Sequence, residues 1–170
     1  MKIIELKRLF FIFLALLWMI VIFYYSSKTA VESTQDSMAV GMAIGRFFVA
    51  DYDELPESEQ YNIAKSIEHP IRKTAHAMEY AVLGLFLTFG LYVNKKYTLK
   101  RYYMCRNLLC PWMFATFYAC TDEFHQLFVP GRSGQISDVC IDSGGALFGV
   151  LCGVILMLMI ETHMVTSRRL

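Results

Sequence analysis

Leu9–Tyr25, LFFIFLALLWMIVIFYY, is free of charged residues and almost wholly apolar. As an α-helix rising 1.5 Å per residue it reaches roughly 26 Å, close to the thickness of a bilayer's hydrocarbon core. Its closing pair, Tyr24-Tyr25, suits a membrane–water interface, where amphipathic rings collect. Lys2, Lys7 and Arg8 precede it as they would a secretory signal, but Lys28-Thr29-Ala30 lacks the small-x-small cleavage pattern. The stretch is expected to be a retained first membrane helix.

Composition points the same way. Over 170 residues, 56% are apolar and 18% charged, against about 45–50% and about 25% in ordinary soluble domains. This excludes disorder and argues against a soluble enzyme. The net charge of +1 gives no reason to expect a nucleic-acid partner. Five cysteines form neither a disulfide framework nor a zinc spacing, and they read as small buried hydrophobes.

Outward from the first span, further spans are expected over about 76–93, 108–129 and 137–160. The last is clean. The second carries Glu79, and the third is interrupted by Thr121-Asp122-Glu123-Phe124-His125-Gln126. Basic residues in the short flanks set the orientation. Lys2, Lys7, Arg8, Lys95, Lys96, Lys100, Arg101, Arg106, Arg168 and Arg169 fall on one side with only Glu5 and Glu161; the other side holds six basic residues and thirteen acids. The expected fold is all-α: one domain over 1–170 with four transmembrane helices and both termini cytoplasmic. In the long first outer segment, Met38–Ala50 is apolar, contains Gly41-x-x-x-Gly45, and is too short to cross. It is expected as a re-entrant or interfacial helix. Asp51–Gln60, acidic and containing Pro56, reads as an exposed loop.

The ionisable residues of the outer half gather at one depth. Counted from the cytoplasmic ends, Glu79 and Asp122 both lie roughly 21 Å up, and His76 and His125 roughly 25 Å. Asp142 lies roughly 27 Å up and Asp138 higher still. They also share faces. Lys73, His76, Glu79 and Tyr80 recur on one side of a helix, as do Asp122, His125 and Gln126. Asp138 and Asp142 continue as the row Gly145, Gly149 and Gly153, which admits a close neighbour and places the fourth helix centrally. Charged groups at bilayer depth are normally paired and functional. Lys73 with Glu79, or Arg132 with Asp138, would also serve as structural ion pairs. The turn Val129-Pro130-Gly131-Arg132-Ser133-Gly134 combines a proline-fixed φ with glycines that permit positive φ, and would hold Arg132 over the cluster. The planar fork of Arg132 suits a carboxylate or phosphate; snorkelling to the headgroups is its plainer role.

These residues carry a resemblance. Arg72-Lys73-Thr74-Ala75-His76-Ala77-Met78-Glu79-Tyr80 resembles the lysine–histidine–Glu-Tyr signature of the VanZ-like membrane protein family. Thr121 to Arg132 is similar to the second signature, which Asp138, Asp142, Gly145 and Gly149 extend. Phe23-Tyr24-Tyr25-Ser26-Ser27, with Ser33 and Ser37, is similar to the family's first-helix ending. The resemblance covers about residues 18–153. It implies a multi-pass protein of the bacterial cytoplasmic membrane, in a group named for teicoplanin resistance, and it supplies neither a reaction nor a cofactor.

Three kinds of function stay open. As an enzyme, the cluster would use His76 or His125 as base, with Glu79, Asp122 or Glu123 orienting it or acting as acid. Lys73 and Arg132 would stabilise negative charge, and Tyr80, Gln126 and Asp138 would complete the substrate site. A metal variant would pair His76–Glu79 with Asp122–His125 across facing helices, although the Glu-x-x-His repeats of such bundles are missing. As a binding protein, the cluster would capture an anionic lipid-linked cell-wall precursor or a glycopeptide among the membrane lipids. Transport is weaker, because no internal repeat is present.

Overall fold

The computed structural model describes residues 2–93 and 100–167, and every regular element among them is helical. Lys95, Lys96, Arg168 and Arg169, part of the charge argument for orientation, lie outside the described residues. The helices are α1 (Lys2–Ser26), α2 (Ala30–Phe48), α3 (Glu57–Leu91), α4 (Lys100–Met104), α5 (Cys110–Gln126) and α6 (Ile136–Ser167). Three stretches are long and apolar enough to cross a membrane: Glu5–Ser26, Glu57–Leu91 and Ile136–His163. At 17 residues, α5 is not one of them.

The helix expected over 76–93 starts much earlier. Pro56 caps α3, Glu57 and Glu59 complement the dipole of its first turn, and the helix runs for 35 residues through Pro70. That is roughly 52 Å, well beyond a hydrocarbon core of about 30 Å. The exposed loop expected at 51–60 therefore shrinks to a short turn, in which Tyr52 is buried. Hydropathy misses this N-terminal half because its sequence is amphipathic and charged.

Its partner is α2. Thr29 and Glu32 form a capping box that starts α2: Thr29 N–H donates to Glu32 Oε2 (2.8 Å), and Glu32 N–H donates to Thr29 Oγ1 (3.3 Å). Ser33, Ser37, Gly41 and Gly45 then recur every four residues as the buried stripe of α2. A Cβ on Gly41 would come within 3.0 Å of the Ala64 carbonyl oxygen of α3. The segment 38–50 is thus mostly part of a helix that pairs with the N-terminal half of α3.

It is α3 that packs against α1, α2, α5 and α6, so the hub is α3 and not the last helix as the glycine row suggested. The row does set the closest approach: Gly145 and Gly149 lie against the backbone of Ala77 and Ala81, leaving no space for a methyl group. The core between them contains Ala15, Ile22, Tyr80, Leu83, Ala115, Ala119 and Ala146.

At the far end of α3, its last carbonyls are satisfied by other segments. Arg8 Nε donates to Gly90 O (3.1 Å) and Arg106 Nε to Leu91 O (3.3 Å). Asn107 brackets Val93, accepting from its N–H (2.8 Å) and donating to its carbonyl (2.9 Å). Both Arg106 and Asn107 sit in a π-helical turn, Cys105–Leu109, between α4 and α5.

The cysteine expectation is corrected. All five are free and none is buried: Cys105, Cys120 and Cys140 are exposed, and Cys110 and Cys152 are half-buried. They sit on outward helix faces that also carry large apolar residues, such as Met113, Phe114 and Phe117 on α5 and Phe148 and Ile155 on α6.

Candidate functional site

A cavity of about 320 Å³ lies where the end of α1 and its linker, α2, α3 and the α5–α6 turn meet. Its charged lining is Lys28, Asp36, Arg72, His76, Glu79 and Arg132; Tyr25, Val40, Ile71 and Ala75 give it an apolar side. The turn is fixed as the Pro-Gly sequence requires. Gly131 takes φ 75° and a Cβ there would come within 3.0 Å of Ala30 Cβ, while the Pro130 carbonyl accepts from Ala30 N–H (3.2 Å). This joins the α5–α6 turn to the start of α2 and sets Arg132 in the cavity wall.

The lining charges are unequally occupied. Lys28 pairs with Asp36, a hydrogen bond that raises the Lys28 pKa above its ordinary value. Arg72 pairs with Glu68 at 3.4 Å. Among the described residues Arg132 has no carboxylate within ion-pair distance; Nε donates to Lys28 O (3.2 Å) and Nη1 to Gln126 Oε1 (3.4 Å). Burial holds the Arg132 guanidinium pKa below its ordinary value, and the charge of Arg72 adds to this. His76 Nδ1 stands 3.8 Å from Glu79 Oε2, outside hydrogen-bond reach. The main chain of Glu79 is anchored instead, its carbonyl accepting from Trp18 Nε1 at 2.8 Å.

The cluster read from sequence divides into groups. His76, Glu79 and Arg132 line the cavity. Gln126 backs Arg132 and also donates to Ser26 Oγ (3.0 Å) and Asp122 Oδ2 (3.3 Å), which ties Asp122 to α1. Beneath lie Tyr80 and Asp142, both fully buried; the Tyr80 hydroxyl, Asp122 Oδ1 and both Asp142 carboxylate oxygens lack hydrogen-bond partners among the described residues. Lys73 is ion-paired with Asp138, joining α3 to α6. Neither the Lys73–Glu79 nor the Arg132–Asp138 pairing forms.

Two expected site residues turn elsewhere. Glu123 accepts from the backbone N–H of Gln135 (2.8 Å), bracing the turn before α6. His125 packs its ring against Phe23, with centroids 4.6 Å apart, and Nε2 lies 3.2 Å from Ser27 Oγ. With Asp122 and Gln126 facing inward one turn apart, the intervening position of His125 rotates towards α1. Among the described residues no three His, Cys, Asp or Glu side chains are arranged to hold a metal ion, so the four-ligand metal arrangement does not assemble. Sequence reading gave no role to Lys28 or Asp36, which meet across eight positions of chain.

A family model described as VanZ/LLP1 matches residues 11–163, a range that contains every residue of the cavity. The chain belongs to the VanZ/LLP1 family. No curated protein and no solved structure matches it. In this VanZ/LLP1 member the first signature supplies α3's cavity face and the second supplies Arg132 with its support from Gln126. A third wall comes from α2, which precedes both signatures in sequence.

Proposed function

We propose that this chain is a multi-pass protein of the bacterial cytoplasmic membrane whose outward-facing cavity binds the charged head of an envelope component. The ligand would be a lipid-linked cell-wall precursor or a glycopeptide, with low-level teicoplanin resistance as the cellular outcome. The observation that carries the reading is Arg132, half-buried in the wall of a cavity of about 320 Å³ and without a carboxylate partner among the described residues. A desolvated guanidinium there favours a phosphate or carboxylate ligand. In this reading α5 is a fourth span, supported by its exposed Met113, Phe114, Phe117 and Phe124, and the α2 hairpin stands at the outer surface.

The test uses cells lacking the protein and complemented with variants present at normal membrane levels. Arg132→Ala is expected to raise teicoplanin susceptibility to that of uncomplemented cells, and Arg132→Lys to restore only part of the protection, since lysine lacks the fork. Full protection by Arg132→Ala would overturn the reading. A second reading, acid–base catalysis, rests on His76 and Glu79 facing the same cavity. Under it His76→Ala is as damaging as Arg132→Ala, while His125→Ala is harmless.

A further inference from the structure

The cavity wall contains a second unmatched charge. Lys28 is taken by Asp36 and Arg72 by Glu68, which leaves Arg132 and Glu79 as the lining groups with no oppositely charged Lys, Arg, Asp or Glu of the described residues within ion-pair distance. Among the described residues the basic group within ion-pair distance of Glu79 is His76, and at 3.8 Å it makes no hydrogen bond. Arg132 and Glu79 act on one another electrostatically but do not touch. Glu79 also interacts electrostatically with Asp122 and with fully buried Asp142. No lysine or arginine of the described residues pairs with either acid.

An anion alone would satisfy Arg132 and leave Glu79 facing it. A ligand with a cationic group beside its anion would satisfy both, and it would bring positive charge to Glu79, where an unpaired carboxylate is costly. The apolar lining continues into exposed apolar surface at Tyr25 and Val40, giving a lipid's chains a way out sideways.

Resting on the binding reading above, we infer that the cavity takes a zwitterionic phospholipid head, with its phosphate on Arg132 and its ammonium on Glu79. The phosphate accepts from the Arg132 fork and the ammonium donates to the Glu79 carboxylate. A head with phosphate alone leaves the second interaction unmade.

The experiment is native mass spectrometry of the full chain in detergent, titrated with phosphatidylethanolamine or phosphatidylglycerol of identical acyl chains. Phosphatidylethanolamine is expected to bind about tenfold more tightly, the ratio expected for one charge-assisted hydrogen bond. Glu79→Gln should remove that preference, and Arg132→Ala should weaken both lipids. Free phosphoethanolamine should compete if the head alone is recognised; failure to compete assigns the chains a share of the binding to the same lipid. Phosphatidylglycerol binding as tightly as phosphatidylethanolamine in the unmodified chain overturns this inference and leaves the anion site standing. If neither lipid binds above the Arg132→Ala level, this inference falls, while the binding reading is decided separately by the Arg132→Ala complementation test. The comparison of lipids on the unmodified chain decides the matter even where a variant fails to fold.

Discussion

Gly149 of α6 rests its backbone on that of Ala81 in α3, with no room for a methyl group between them. Gly145 repeats the arrangement on Ala77 one turn earlier, whereas Gly144, its neighbour, has nothing within 4 Å of where a Cβ would stand. Gly149 and Gly144 therefore predict opposite results. Gly149→Ala should lower stability by about 1–3 kcal/mol, because the obstacle is main chain and the helices must separate. Gly144→Ala should be neutral or raise stability by up to about 1 kcal/mol through helix propensity. Thermal unfolding in detergent distinguishes them, and equal shifts would refute the close approach.

Lys73 and Asp138 join α3 to α6 across 65 positions of sequence. Lys73→Ala leaves Asp138 uncompensated in a mostly buried setting, with a cost expected near 3 kcal/mol. Removing both groups in Lys73→Ala/Asp138→Ala should recover much of that loss. A double-mutant cycle on unfolding midpoints checks this, and simple additivity would show that the pair does not couple the helices.

Asn107 is buried and holds both polar groups of Val93. Asn107→Ala should cost about 1–3 kcal/mol by leaving buried backbone unsatisfied. Asn107→Asp keeps the acceptor for Val93 N–H but loses the donor, and should destabilise through the unsatisfied carbonyl. Hydrogen exchange at the end of α3 reports the site directly: faster exchange there, with the cavity end unchanged, is the expected pattern.

Glu32 accepts from the side chain and backbone of Thr29, and these bonds hold its pKa below the ordinary 4.5. A carboxylate depressed on folding adds stability above its unfolded value and loses it as pH falls through the folded one. The first turn of α2 should therefore stay ordered at neutral pH and fray only under acid conditions below that ordinary value. Exchange protection at residues 30–36, corrected for intrinsic rate, should fall in that window, and in Glu32→Gln it should be weaker at neutral pH and nearly independent of acidification.

The apolar run of α1 and the glycine row of α6 were legible in the sequence because each depends on one residue property repeated at helical spacing. The inward faces of Glu79 and Asp122 were legible for the same reason. Less visible was the N-terminal half of α3. Its charges suggest solvent, and only the small stripe of α2, half of it serine, reveals that the two helices pair. Gly41-x-x-x-Gly45 showed part of that stripe but not its partner. His125 illustrates a different limit: spacing placed it with Asp122, but a difference of one helical position was enough to set it against Phe23 and Ser27. Lys28–Asp36 was invisible because it forms across a helix start whose geometry the capping box of Thr29 and Glu32 determines.

The π-helical turn at Cys105–Leu109 constrains chain length more tightly than chemistry. Each residue of an α-helix advances the chain by about 100° around its axis, so losing one position here would swing α4 and Arg106 relative to Trp112 and Ala115. The hold on the end of α3 and the packing of α5 on the core could then not both be kept. The side chains at 105 and 109 are exposed and should tolerate exchange, but an insertion or deletion of one residue between Met104 and Cys110 would disconnect the two ends of the bundle.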